Sequence, residues 1–263
     1  MKRNILYIIL IGLIPFFSAC EDVIDLDLKN ASPQIVIEAK VVNHYERQEV
    51  KISQTKSFSD DNSIIPISNA VITVKEDGGQ TYSFQETSPG FYQSTFFNGK
   101  PGKKYTMQVA VNNKTYTAVS LMPNPVVLDS ITVTELSFFG STQKFAQVNY
   151  NDPGNVANQY NYVIKVNNEV RNSYFVESDQ FNNGKKVTGT IFNDDPELKK
   201  DDLVSIDFQC IDLPIYRYFF ALSQISGNGG PPTSPSNPDS NFNNGALGYF
   251  SAHTSQIRTV TIP

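Results

Sequence analysis

Ala70-Val-Ile-Thr-Val-Lys75, Glu76-Asp-Gly-Gly79 and Gln80-Thr-Tyr-Ser-Phe84 read as a strand, a tight turn and a second strand. Apolar and polar residues alternate on both sides of the turn, which gives a pleated segment one face to bury and one to wet. The paired glycines supply the positive φ angles of a short hairpin. Outward from this hairpin the pattern repeats: Gln34 to Asn43, Glu49 to Ser53, Gly90 to Phe96, Tyr105 to Val111 and Thr115 to Ser120 are further short runs of the same kind. Asn112-Asn113, Pro89-Gly90 and Pro101-Gly102 mark turns between them. Seven strands over residues 33–122 is the count expected of an immunoglobulin-like β-sandwich.

Leu121-Met-Pro123-Asn-Pro125 predicts a stiff, extended crossing, and a second β-rich unit follows over 123–263. Its strands are expected at Val126 to Glu135, Lys144 to Tyr150, Tyr160 to Val166, Tyr174 to Glu177, Gly189 to Phe192, Leu203 to Ile211 and Gln256 to Ile262. Pro214 to Ile225 differs: proline in the first turn and Ile215, Tyr218, Phe219, Leu222 and Ile225 at helical spacing predict one amphipathic helix. Thirteen of the nineteen residues from Gly227 to Gly245 are Gly, Pro or Asn, which disfavours both helix and central strand and predicts a long loop. It runs into Gly245-Ala-Leu-Gly-Tyr-Phe250, whose two glycines suggest a strand passing close to another backbone. The fold class is therefore mainly β, with one short helix.

Composition agrees. Of 263 residues 40% are hydrophobic and 18% charged, enough for a core and too apolar for a disordered chain. There are 18 Phe and 13 Tyr but no Trp. Two His, two Cys and three Met leave little for metal or redox chemistry, so no metal and no cofactor are expected, and a net charge of −5 disfavours nucleic acid.

The chain begins Met1-Lys2-Arg3-Asn4, then runs almost wholly apolar from Ile5 to Phe17. Thirteen such residues are too few to cross about 30 Å of hydrocarbon and read as the core of a signal peptide over 1–19. Phe17-Ser-Ala-Cys20 follows, which resembles the lipobox of bacterial lipoproteins and implies that the Cys20 thiol carries the lipid anchor; Phe17 departs from the commoner Leu. Cleavage before Cys20 would leave 244 residues with 19 basic and 26 acidic side chains, or −7. Glu21-Asp22-Val-Ile-Asp25-Leu-Asp27 opens a tether over 20–32. It resembles the acidic tag of surface-exported Bacteroidetes lipoproteins; a solvated acidic linker is the alternative. Cys210, left alone, is expected to be a small buried residue.

Ile67-Ser-Asn-Ala70-Val-Ile-Thr-Val-Lys75, Ser88-Pro-Gly-Phe-Tyr92 and Gly102-Lys-Lys-Tyr105 look like the carboxypeptidase-regulatory-like sandwich modules, in which a Tyr shortly after a Gly packs on the sheet while its hydroxyl reaches main chain. Phe192-Asn-Asp-Asp-Pro-Glu-Leu198, the aromatic helix, Pro231-Pro232, Asn241-Phe242 and Gly245-Ala-Leu-Gly-Tyr-Phe250 together resemble the DUF4249 family of Bacteroidetes lipoproteins over nearly the whole chain. Phe242 stands where a branched aliphatic is more usual, and the Cys-bearing tail of longer members is missing. The resemblance implies no catalytic activity. It implies an outer-membrane protein, lipid-anchored and facing the exterior, that serves a TonB-dependent transporter in uptake.

Binding is accordingly the expected class, and the candidate ligand or partner contacts are Asn241, Phe242, Asn243, Asn244, Tyr249 and Phe250. Alternatively, the loop only shields an edge strand while Tyr249 and Phe250 divide between core and solvent. His44 and His253, the only imidazoles, read as surface or turn residues; Ser251 and His253 share a strand face but lack a third partner. A surface hydrolase acting on glycan or peptide, using Asp194, Asp195, Glu197, Asp201 or Asp202, is the rival reading, although Pro196 and Lys199-Lys200 make that cluster look like a solvated turn. An adhesin or envelope-structural protein is a third. Asn151-Asp-Pro-Gly154 lacks the regular alternation of oxygen ligands found in Ca²⁺ loops.

Overall fold

The computed structural model describes residues 32–56, 64–138, 140–192, 197–225 and 237–263. Cys20, the acidic run 21–27, Asp194, Asp195 and residues 227–236 lie outside them. The described part from Pro33 to Pro263 is one compact unit, mainly β as its alternation requires.

Strands β1 (Ile35–Val42), β2 (Glu46–Gln54), β3 (Ile65–Pro66), β4 (Val71–Glu76), β5 (Thr81–Ser88), β6 (Phe91–Phe97), β7 (Lys104–Val111) and β8 (Lys114–Leu121) form the first half. β4 and β5 form the antiparallel hairpin expected over 70–84, with Ile72 opposite Phe84 and Val74 opposite Tyr82. Asn112 and Asn113 turn β7 into β8 with φ of 51° and 57°, left-handed values that Asn tolerates. In the order β1-β2-β6-β5-β4-β7-β8 these strands wrap a first core that includes Ile37, Ile52, Ile72, Met107 and Ala118. The two tyrosines behave as their turns predict. Tyr92 donates its hydroxyl to the Ile67 carbonyl at 2.9 Å and accepts the Ala70 amide at 3.0 Å, while Tyr105 accepts the Lys100 amide at 2.7 Å. Both rings are buried in the core rather than laid on its rim.

The second half comprises β9 (Leu128–Phe138), β10 (Ser141–Asn151), β11 (Gln159–Val166), β12 (Glu169–Val170), β13 (Phe175–Ser178), β14 (Lys186–Ile191), β15 (Leu203–Ile211), helix α1 (Leu213–Ile225) and β16 (Leu247–Thr261). The small sheet β14-β10-β9 faces the β11-β15-β16 sheet across a second core. There the ring of Phe208 lies 5.0–5.6 Å from those of Tyr150, Tyr160 and Tyr162. Their hydroxyls are satisfied by carboxylates: Tyr160 donates to Asp152, and Tyr162 donates to Glu177 at 2.8 Å. Asp152 also accepts the Gly184 amide at 3.0 Å, so the Asp-Pro-Gly turn directs its carboxylate into the protein. Cys210 is buried as expected, its thiol pushed up by desolvation.

β16 differs from expectation. The sequence suggests two strands with a break near His253, whereas one strand of 15 residues runs through. It pairs parallel with β1 and antiparallel with β15, from Val36 opposite Leu247 to Leu203 opposite Thr261. Phe250 and Ala252 on its even face enter the first core, and Ile262 just beyond its end enters the second. The Pro123–Pro125 crossing therefore marks where the chain passes from one core to the other, and β16 belongs to both. Gly248 shows why the motif carries glycine: at φ +88°, a Cβ there would lie 2.1 Å from the Ile37 carbonyl oxygen.

Candidate functional site

The six residues proposed from sequence separate into two groups. Asn241 donates its amide to the Val119 carbonyl at 3.2 Å and to the Phe250 carbonyl at 2.8 Å. Asn243 accepts the Thr117 amide at 2.7 Å, and Asn244 donates to the Thr115 carbonyl at 2.8 Å. Thr115, Thr117 and Val119 are alternate residues of β8, the last strand in its sheet order. The three amides therefore stand in for a missing neighbour strand, pairing main-chain groups that an edge strand otherwise leaves open. Phe242 and Phe250 are buried in the first core. Asn243 and Asn244 are exposed, and Tyr249, on the odd face of β16, is partly exposed. Residues 241–244 thus cover an edge.

The odd face of β16 leads to a different place. Tyr249, Ser251, His253 and Ser255 alternate with Gly248, Phe250, Ala252 and Thr254, and the odd set lines a cleft of about 600 Å³. Its floor is the outward face of β1, β16, β15 and β11; one wall is built from residues 170–174 and from Phe219 of α1. A chain of hydrogen bonds crosses the floor from strand to strand. Asn161 donates to Gln209 at 2.7 Å, Gln209 donates to Asp207 at 2.7 Å, and Ser255 donates to the other Asp207 oxygen at 2.5 Å. At one end the ring of Tyr249 lies 5.1 Å from Tyr218 and 4.9 Å from Phe219, and Phe219 lies 5.9 Å from Tyr174. Such spacings are those of packed aromatic pairs, and burial pushes the Tyr249 and Tyr218 hydroxyls above the usual phenol range, the latter to about 12.

His253 is a correction to the sequence reading. It is no surface or turn residue: it is 5% exposed in mid-strand, with Nδ1 2.9 Å from the Ser251 hydroxyl. Desolvation pushes its pKa down to about 4 although Asp207 lies near enough to favour the cation. The ring is thus neutral at ordinary pH, one nitrogen a donor and the other an acceptor. His44, by contrast, is exposed as expected. Ser251 and His253 do touch, yet Asp207 accepts from Ser255 and Gln209 and makes no hydrogen bond to the imidazole. The carboxylates after Pro196 are also separated from the cleft. Glu197 accepts from Gln143, Asp202 accepts the Lys199 amide at 2.7 Å and the Asn167 amide at 2.8 Å, and Asp201 is an exposed turn residue at φ 68°. Among the described residues no cluster of three or more His, Cys, Asp or Glu is placed to hold a metal ion.

Sequence reasoning names Tyr249 and the Ser251–His253 pair but not Ser255, Asp207, Gln209 or Asn161, because it divides the strand. Read without a break, 248–255 shows small or apolar residues on one face and Tyr, Ser, His, Ser on the other, and that polar set is the available signal.

No curated protein matches the chain. The model of a family described as a domain of unknown function, DUF4249, matches residues 21–259. That span takes in the first core, nearly all of the second, the helix, the edge cover and every residue that lines the cleft, and the chain belongs to the DUF4249 family.

Proposed function

We propose that the protein is a surface-facing, lipid-anchored outer-membrane protein of a Bacteroidetes cell. It captures a ligand without catalysis, as an accessory subunit of a TonB-dependent transporter, and its first core is an immunoglobulin-like module that spaces and supports the cleft. The observation that carries the capture reading is the cleft over β16, where hydroxyl, amide and imidazole groups converge beside an aromatic wall, the composition of a binding site. The anchor rests on Phe17-Ser-Ala-Cys20 and the acidic run behind it. Metabolic labelling with a palmitate analogue tests the anchor, and Cys20→Ala is expected to abolish the label. Affinity isolation of the tagged protein in mild detergent tests the partner. Recovery without any transporter, from cells expressing the neighbouring genes, sinks that part of the proposal.

The hydrogen bond between Ser251 and His253 favours a second reading, a surface hydrolase. Turnover of an ester, glycan or peptide panel that disappears in Ser251→Ala supports it; turnover that survives this change removes it.

A further inference from the structure

We propose that the cleft above β16 is a saccharide site, taking an uncharged polyhydroxylated ligand that hydrogen bonds to Nε2 of His253 and lays a sugar face against the ring of Tyr249. The inference rests on the ligand-capture reading and deepens it by naming the ligand class.

The first ground is an unanswered polar atom. His253 is more than nine-tenths buried and lines the cleft; Nδ1 is engaged by Ser251, and Nε2 has no hydrogen-bond partner among the described residues. Nε2 is not among the fully buried side-chain atoms without a partner, so it opens onto the cleft, where a ligand's hydroxyl can reach it. Because burial holds the ring neutral, Nε2 offers a single hydrogen bond and no charge, which a sugar hydroxyl, both donor and acceptor, meets in either tautomer.

The second ground is charge. Both oxygens of Asp207 already accept from the protein, so the floor carries no unanswered anion. Lys40, Lys165 and Arg171 line the cleft against Glu46 and Asp207, and Lys40 is held 3.3 Å from Glu49. Near-balance of this kind gives no field to select an acidic or basic ligand.

The third ground is shape. An aromatic end beside a hydrogen-bonding floor matches a molecule with apolar C–H faces and a hydroxyl rim. A peptide added as a strand needs an open edge, and β1, β16, β15 and β11 are each paired on both sides.

The test is calorimetric titration of the full-length lipoprotein in detergent with neutral oligosaccharides (α-glucan, β-glucan, xylan and mannan fragments), with oligogalacturonate and a mixed tripeptide pool as charged and peptidic probes. At least one neutral oligosaccharide is expected to saturate. Tyr249→Ala and His253→Gln should each weaken it by about tenfold or more, while Val71→Ser, 69% exposed on β4, leaves it unchanged. Tyr174→Ala, at a 37% exposed site, gives a wall variant that keeps the fold. It too is expected to weaken binding. Saturation by oligogalacturonate or peptide alone overturns the inference, as does the absence of saturation by any neutral oligosaccharide or wild-type affinity in both tyrosine variants. A transporter recovered with a protein that binds no saccharide ends the inference and leaves the accessory reading standing; saccharide binding without a transporter does the reverse.

Discussion

The hydroxyl of Ser120 donates to the Asp212 carboxylate across 2.9 Å, joining the end of β8 to the start of α1. The same carboxylate accepts the Leu121 amide at 2.9 Å and, as the helix N-cap, the Ile215 amide at 3.2 Å. Ser120 in turn accepts the Ala252 amide at 2.9 Å, so β16 is tied to the same point. Asp212→Ala is expected to cost about 2 kcal/mol, near 1 for the cap and the rest for the buried Ser120 hydroxyl left without its acceptor. Asp212→Asn keeps most of these bonds and is expected to cost about 1 kcal/mol. Urea unfolding midpoints measure both, and equal effects of the two variants would contradict this assignment.

His253 makes stability fall in acid. Its pKa is about 4 in the folded chain against 6.5 for the free group, so the folded state binds the proton less tightly than the unfolded state. The neutral ring's contribution is complete above pH 6.5 and is lost as pH drops from 6.5 to about 4, amounting to about 3 kcal/mol at the acid end. Asp212 works the other way, because desolvation raises its carboxyl and acid relieves that burden. Thermal melts of wild type and His253→Gln at pH 7.5 and pH 4 separate the two. The variant should lose markedly less stability on acidification.

Gly248→Ala places a methyl group against the Ile37 carbonyl in the parallel pair of β1 and β16. The clash and the left-handed backbone together are expected to cost about 4 kcal/mol or more. Gly245→Ala, at φ +75° with open space around it, carries only the backbone penalty of about 1 kcal/mol. Melting temperatures should show this order.

The edge cover predicts solubility rather than affinity. Asn243→Ala and Asn244→Ala each remove a side-chain bond to β8, costing about 1 kcal/mol apiece. Together they open the edge to other strands, and light scattering should show concentration-dependent association in the double variant.

The strands were legible because each buries one face. The alternation in 70–84, the Asn112-Asn113 turn and the helix from Pro214 all follow from local chemistry, and the helix begins one residue early because Asp212 caps it. Residues 241–250 are unusual in sequence, and Asn241, Asn243 and Asn244 bond the edge of β8. Which face of the final strand would matter was not legible. His253, Thr254 and Ser255 are polar and so resemble a break, yet all three are buried because the strand passes between partners on both sides; His253 bonds Ser251 and Ser255 bonds Asp207, while the Thr254 hydroxyl is enclosed without a partner.

Because β16 lies between β1 and β15, its arrival sets the timetable of assembly. Val36 finds its partner Leu247 roughly two hundred residues later in the chain, a loop closure of the slow, non-local kind. A nascent or truncated polypeptide ending before residue 247 carries every other strand yet presents β1 with a vacant flank and the first core without Phe250. The molecule is consequently committed to its native form only by its final stretch, and any factor that holds that stretch apart keeps the whole chain pliant.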